Sequence, residues 1–400
     1  YSPVFVDAFL SAASSKAWVI FSTKQLRDQE TAYDGFATAT WRCTWTSGAG
    51  SKARSRTSLV RLEGIGDGEV GDAQRKTLVV HCPAPVGLVG QPVLGVEAVN
   101  HAGSRIFERS GIRVRRKSAF EESKTALCTM VIQDTPASPF LTDWVRYHLS
   151  FGFEQIVVYV EDPDVYWAED LLAGYLDRGQ VRLVHFYFGS LSDTRSWMMQ
   201  QAQEQHCLYS AKGRVRWLGH SDIDEYFQVM DPNMKPRVAG EMADHFNRFL
   251  DDMPRRTNFV SDIPAISVQS QLWYFFSRDD CSEAKFLPCD MTCKAAGYDS
   301  IKTKLIMSPD SVDYFSVHML TRYRGQVYHA RPWDEIRVNH FKYLPNGSRD
   351  GGQCSEDISF KNVCRTGLGY KSREPGQESW GNAPPELCRG RPHPHGWIAR

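Results

Sequence analysis

The chain has 400 residues, of which 42% are hydrophobic and 24% charged, with 47 Lys and Arg against 47 Asp and Glu. That length exceeds what one core usually organises and implies two domains, and the composition excludes a disordered or collagen-like chain. The balanced charge excludes both a broad basic field for nucleic acid and an acidic solvating tail, so partners must be read by a local site.

Residues 1–118 read as short strands between turn signals. Ala39, Trp41, Cys43 and Trp45 alternate with Thr40, Arg42 and Thr44, the period of a half-buried strand. Thr77 to Cys82, Pro92 to Val99 and Ile106 to Val114 add further strands, parted by Gly, Asn and Pro clusters. The expectation is an all-β sandwich, with Cys43 and Cys82 on two of its strands and joined as a disulfide. Trp18, Trp41 and Trp45 could stack on sugars, but large aromatics dominate cores, which favours a place inside. The basic run from Arg113 to Lys117 reads as a solvated strand end and linker.

From Ala126 the period changes, opening a second domain over residues 119–400. Leu127 to Ile132 is a buried-type strand. Leu141, Trp144, Val145, His148 and Leu149 then follow the spacing of an amphipathic helix, ended by Gly152. Gln155 to Val160 predicts a strand, Tyr166 to Leu176 a helix, Val181 to Phe188 a strand and Gln200 to Tyr209 a helix. This alternation implies right-handed crossovers and a mostly parallel sheet, with ligands outside the carboxyl ends of its strands.

The strand Val215 to Leu218 stops at Ser221-Asp222-Ile223-Asp224-Glu225. Two aspartates one residue apart at a strand end can aim hard oxygen ligands at a divalent cation, which a nucleotide-sugar donor needs to neutralise the charge growing on its departing diphosphate. His340, at the end of the strand-like run Glu335 to Tyr343, is the favoured third ligand. Neutral imidazole there biases the site to Mn²⁺ over Mg²⁺.

Residues 126 to 343 resemble glycosyltransferase family 92, which includes plant pectic galactan synthases and animal galactosyltransferases. The resemblance is carried by Asp143-Trp144-Val145-Arg146-Tyr147-His148 with Gly152, and by Tyr159-Val160-Glu161-Asp162. Gln201, His206 and Cys207 follow, then Trp217, Asp222, Asp224, Glu225 and Tyr226-Phe227. Lys304, Ile306, Pro309, His318 and Asn339-His340-Phe341 complete it. Gln133-Asp134 stands where the family has Asn-Glu, and Ser277-Arg278-Asp279-Asp280 where it has a glycine-serine loop. After Tyr343 the resemblance fades, and the tail to Arg400 reads as a private extension.

The resemblance implies a GT-A type, metal-dependent transferase fold preceded by a carbohydrate-binding-module-like sandwich, an inverting reaction, UDP-galactose as donor and a β-galactoside product on an oligosaccharide or polysaccharide acceptor. It places Gln133, Asp134, Glu161, Asp162, Gln201, Asp222, Lys304 and His318 at the donor and Asp222, Asp224 and His340 on the metal. An inverting base must be a carboxylate on the acceptor side, with Asp279, Asp280, Asp334 and Glu335 as candidates.

Ten cysteines, none spaced C-x-x-C, argue against zinc, and with the sequon Asn346-Gly347-Ser348 they lean towards an oxidising lumen. The expected location is the Golgi lumen, as a type II membrane protein whose anchor lies outside these residues; a homodimer is among the assemblies admitted. Two other classes compete: a glycan-binding protein with an inactive transferase domain, and a metal-dependent phosphohydrolase, which lacks a second ligand cluster.

Overall fold

The computed structural model describes residues 4–10, 16–24, 39–46, 52–56, 58–60, 75–84, 93–114, 119–132, 138–188, 199–230, 241–256, 262–275, 293–294, 297–343 and 355–356. The N-terminal strands are β1 (Val4–Leu10), β2 (Lys16–Lys24), β3 (Thr40–Thr46), β4 (Lys52–Arg56), β5 (Ser58–Val60), β6 (Arg75–Pro83), β7 (Val93–Val99) and β8 (Arg105–Arg113). They make two four-stranded antiparallel sheets, ordered β1-β2-β6-β5 and β4-β3-β7-β8.

Alternation explains how these sheets face each other. Ala17, Val19 and Phe21 from β2 share one core with Trp41, Cys43 and Trp45 from β3 and with Phe107 from β8. Phe21 lies 6.1 Å and Phe107 5.9 Å from the Trp41 ring, centroid to centroid. Cys43 and Cys82 are bonded, as expected, and tie the two sheets across that core. Trp41 and Trp45 are buried in it, whereas Trp18 points out of the opposite face.

The remaining elements are β9 (Ser123–Ile132), α1 (Ser138–Phe151), β10 (Gln155–Glu161), α2 (Tyr166–Asp177), β11 (Val181–His185), α3 (Gln200–Ala211), β12 (Val215–His220), β13 (Glu225–Val229) and α4 (Glu241–Arg256), followed among the described residues by strands. Those strands are β14 (Ala265–Phe275), β15 (Cys293–Lys294), β16 (Asp299–Met307), β17 (Val312–Ser316), β18 (Met319–Tyr323), β19 (Tyr328–His329), β20 (Ile336–Tyr343) and β21 (Ser355–Glu356). Most join one eleven-stranded sheet whose main path runs β11-β10-β9-β12-β16-β14-β15-β21.

This sheet corrects the expectation of a mostly parallel, GT-A type core. Pairing is parallel from β11 to β12, but β12 with β16, β16 with β14 and β13 with β20 are antiparallel. The strand–helix alternation of residues 126–211 does not continue: among the described residues only α4 follows β13, and strands without crossover helices can return antiparallel. α4 carried a legible signal that the reading passed over, with Met242, Phe246, Phe249, Leu250 and Met253 on one buried stripe.

α3 lies between the large sheet and the β1-β2-β6-β5 sheet, and Ala202 to Ala211 are all buried. Several of its polar residues meet protein partners. His206 Nδ1 is 2.8 Å from the Tyr159 hydroxyl and its Nε2 3.2 Å from Asp7 Oδ2. Gln205 donates to the Phe315 carbonyl at 2.6 Å, and Tyr209 packs 5.2 Å from Trp18. A second disulfide, Cys128–Cys207, fastens α3 to β9. No helix among the described residues is long and apolar enough to cross a membrane.

Replacing Cys43 and Cys82 together by Ala frees a 39-residue separation in the unfolded chain. The expected loss is ~2–4 kcal/mol in a denaturant titration. Non-reducing peptide mapping should recover Cys43 with Cys82 and Cys128 with Cys207; a mixed pairing would contradict both bonds.

Candidate functional site

The aspartate turn is built by backbone bonds from three strands. Ser221 N–H reaches the Cys128 carbonyl at 3.2 Å and so extends the β9–β12 pairing by one residue. Glu225 N–H then donates to the Asp222 carbonyl at 3.1 Å, closing the turn that opens β13. Glu225 stands opposite His340 in the β13–β20 register, and Phe341 N–H holds the Asp224 carbonyl at 2.9 Å. From the other side the Trp144 indole of α1 donates to the Glu225 carbonyl at 2.9 Å.

Side chains from three sequence-distant segments then come together: the turn itself, Lys304 and His340. Lys304 Nζ, wholly buried, lies 2.9 Å from Asp222 Oδ2 and 2.8 Å from Glu225 Oε2. Asp222 N–H donates to the same Glu225 oxygen at 2.9 Å. His340 Nε2 stands 3.2 Å from Asp224 Oδ2, and its Nδ1 3.4 Å from Glu225 Oε1. Glu225 is therefore the hub, while the Asp222 and Asp224 side chains remain 40% and 36% exposed and face outward.

Burial acts against the Asp222 carboxylate, but the Lys304 ammonium beside it, helped by His220 and His340, outweighs burial and holds its pKa well below the usual range. Burial pushes the deeper Glu225 up, with Lys304 opposing and Asp222 reinforcing the rise. Burial would lower Lys304, yet its two carboxylates raise it above an ordinary lysine. His220, buried under the turn and near Lys304, is pushed down to about 3 and stays neutral, 3.1 Å from Gln203 Oε1.

The other sequence candidates are dispersed. Glu161 is buried at the end of β10, and Asp162 accepts from Asp164 N–H at 2.8 Å. Gln201 accepts from Thr77 N–H at 3.3 Å, which commits it to the N-terminal sheet. His318 Nδ1 lies 3.0 Å from the Thr303 carbonyl, one residue from Lys304. Asp334 is held by Arg331 Nε at 2.9 and 3.1 Å, and Glu335 accepts from the Tyr328 hydroxyl at 2.7 Å and Arg331 N–H at 2.8 Å. Both precede β20, whereas His340 is well along it. Gln133, Asp134, Asp279 and Asp280 lie outside the described residues. What the sequence reading missed is the role of Glu225 and the direction in which Lys304 points; three acids within four residues was the available signal that a buried cation must be near.

Among the described residues no three His, Cys, Asp or Glu side chains form a ready metal cage. Two do fit as neighbouring ligands. Donors roughly 2.2 Å from one six-coordinate ion stand about 3.1 Å apart, and Asp224 Oδ2 and His340 Nε2 are 3.2 Å apart. An open site of this kind suits a cation completed by substrate phosphate rather than by protein.

A family model described as glycosyltransferase family 92 matches residues 125–380. The match passes Tyr343, so the stretch to residue 380 is not a private extension. A glycosyltransferase family 92 protein of Arabidopsis thaliana is 26% identical over 125 residues, 31% of this chain and 20% of that protein. One of Ricinus communis is 25% identical over 231 residues, 55% of this chain and 35% of that protein. The matches thus span a third or so of these relatives' length or less.

Lys304→Met leaves Glu225 buried without its cation and should cost about 3–5 kcal/mol, much of it recovered by adding Glu225→Gln. The pH sign follows from the shifts. Asp222, depressed in the fold, contributes stability above its ordinary 3.8 that is lost as pH falls. Lys304, raised, contributes fully below its ordinary 10.5 and loses it as pH climbs further. Glu225, raised by burial, works against the fold above its ordinary 4.5. Thermal unfolding across pH should show the alkaline loss in the wild type and not in Lys304→Met.

Proposed function

We propose metal-assisted, inverting galactosyl transfer for this chain, which belongs to glycosyltransferase family 92. It is a glycosyltransferase, and its substrates are accordingly a nucleotide sugar and a glycan acceptor. The donor we propose is UDP-galactose, on the resemblance to a family that includes galactosyltransferases, with a β-galactoside as product.

One observation carries the reading: Asp224 and His340 sit at ligand spacing beside an Asp222 clamped by a buried lysine. Asp224 and His340 would hold Mn²⁺, or Mg²⁺ in its place, with Asp222 turned to the donor. The ion, when bound, would neutralise charge on the departing diphosphate. Lys304 acts here through Asp222 and Glu225: its ammonium, fully buried between them, orients the turn and is not offered to the phosphates. That differs from a donor-binding lysine.

Inversion needs a carboxylate to take the acceptor's hydroxyl proton as that oxygen attacks the anomeric carbon. Asp334 and Glu335 are engaged by Arg331 and Tyr328, and we propose Asp279 or Asp280 for this role. The Golgi lumen remains our proposed location, supported by two disulfides, since such bonds persist in oxidising compartments. The glycan-binder alternative loses support, because Trp18, Trp41 and Trp45 are all buried.

With UDP-galactose, Mn²⁺ and a galactan acceptor, the wild type should release UDP and extend the acceptor. His340→Ala should lower turnover and raise the Mn²⁺ needed for half-activity at least about tenfold, with partial recovery at high Mn²⁺. An unchanged Mn²⁺ requirement would remove His340 from the metal. Faster turnover of another UDP-sugar would replace galactose and leave the transferase reading standing.

A further inference from the structure

The strongest feature outside the aspartate cluster is an aromatic surface beside the β16 bulge. Trp333 is 61% exposed, although large aromatics usually bury themselves. Its ring lies 6.4 Å from that of Tyr298, at an interplanar angle of 53°. Arg331 and Asp334, on either side of Trp333 in sequence, form an ion pair in which Arg331 Nε lies 2.9 and 3.1 Å from the two carboxylate oxygens, with side chains 53% and 39% exposed. An apolar ring face next to polar groups with open edges suits a ligand that is itself apolar on one face and hydroxylated at its rim, which is the chemistry of a hexose.

Strand register brings the backbone beside Tyr298 towards the proposed chemistry. Tyr298 adjoins Asp299, which pairs with Ser270 of β14. Ser270 also pairs with Val338 of β20, two residues before His340. Two strand spacings and two residues of rise put the Asp299 and His340 backbones about 12 Å apart. The bulge is what allows it: between the Val268–Lys304 and Ser270–Asp299 pairs, β16 spends more residues than β14, so it lifts away from the sheet while Lys304 stays inside.

We infer that Trp333 and Tyr298 form the platform on which a hexose ring of the acceptor glycan stacks, with Arg331 and Asp334 meeting its hydroxyls. The inference rests on the transferase reading above and adds where the acceptor binds. A donor nucleobase or a second copy of this chain could also cover an exposed tryptophan, and each gives a different result.

The test uses the full chain and steady-state kinetics, with UDP-galactose and a galacto-oligosaccharide varied separately. Trp333→Ala should raise the acceptor KM at least about tenfold, the scale of one lost stacking contact. Donor KM, acceptor-independent UDP release and the unfolding temperature should not move, and Trp333→Phe should restore most of the acceptor affinity. Tyr166→Ala, at an exposed aromatic on α2, should change nothing. An unchanged acceptor KM in Trp333→Ala overturns the platform. So does a raised donor KM, which would assign the ring to the nucleobase, or a lost dimer in sedimentation with acceptor KM intact. An equal effect from Tyr166→Ala would overturn it too. If the wild type turns over no UDP-sugar, the transferase reading fails instead. Calorimetric titration with the same oligosaccharide then decides the platform alone: binding that Trp333→Ala abolishes supports it, and no binding or undiminished binding overturns it.

Discussion

The site depends on one buried ammonium. Asp222, Asp224 and Glu225 crowd three carboxylates into four residues at a strand end, an arrangement that would repel itself open without a cation. Lys304 supplies that cation from β16, at 2.9 Å from Asp222 and 2.8 Å from Glu225, with no exposure to water. Ionic groups removed from water are tolerable only when their partners are close and their remaining valences filled. Glu225 meets that condition by also accepting the Asp222 N–H and facing His340. The clamp engages the inner carboxylate and one oxygen of Asp222, and it leaves Asp224 to meet solvent beside a largely buried His340.

Much of this was legible in the sequence, and the limits have physical causes. Strands and helices of residues 126–211 declared themselves because each hides one face against a neighbour, which imposes a period. The aspartate turn drew notice through its context: an Asp-x-Asp triplet alone usually marks a solvated turn, but this one follows Trp217-Leu218-Gly219-His220 and precedes Glu225-Tyr226-Phe227. Lys304 was read as a donor contact, and the structure adds its pairing with Asp222 and Glu225, which a sequence does not reveal because it shows charge without showing depth. The sheet's handing over from parallel to antiparallel pairing was not legible, as register and direction are set by which connection is short enough to return. The same holds for the Cys128–Cys207 bond, whose partners are 79 residues apart and meet only because α3 crosses β9.

α3 was recognised as a helix, but not as a buried one. Its Gln-Gln-Ala-Gln-Glu-Gln-His run reads as a solvated surface by composition, and it is buried from Ala202 onwards. Polar residues can be interior when they find partners, and several of these find them on two sides. Asp7, Thr77 and Trp18 of the N-terminal sheet meet His206, Gln201 and Tyr209. Tyr159, Cys128 and His220 of the large sheet meet His206, Cys207 and Gln203.

That double engagement bears on the site itself. His220 is the last residue of β12, and Asp222 follows it by two positions, so whatever fixes His220 fixes the floor of the aspartate turn. Gln203 holds the His220 ring from α3, Phe315 packs 5.9 Å from its other side, and burial keeps it uncharged next to Lys304, where a proton would be repelled. α3 in turn is held by a disulfide to β9 and by a buried Asp7–His206 contact to β1. Among the described residues, α3 thus links the N-terminal β1-β2-β6-β5 sheet to the strand beneath the turn. A rigid floor matters here because the turn carries three carboxylates, and the 3.2 Å spacing of Asp224 and His340 would widen if the strand beneath were free to shift.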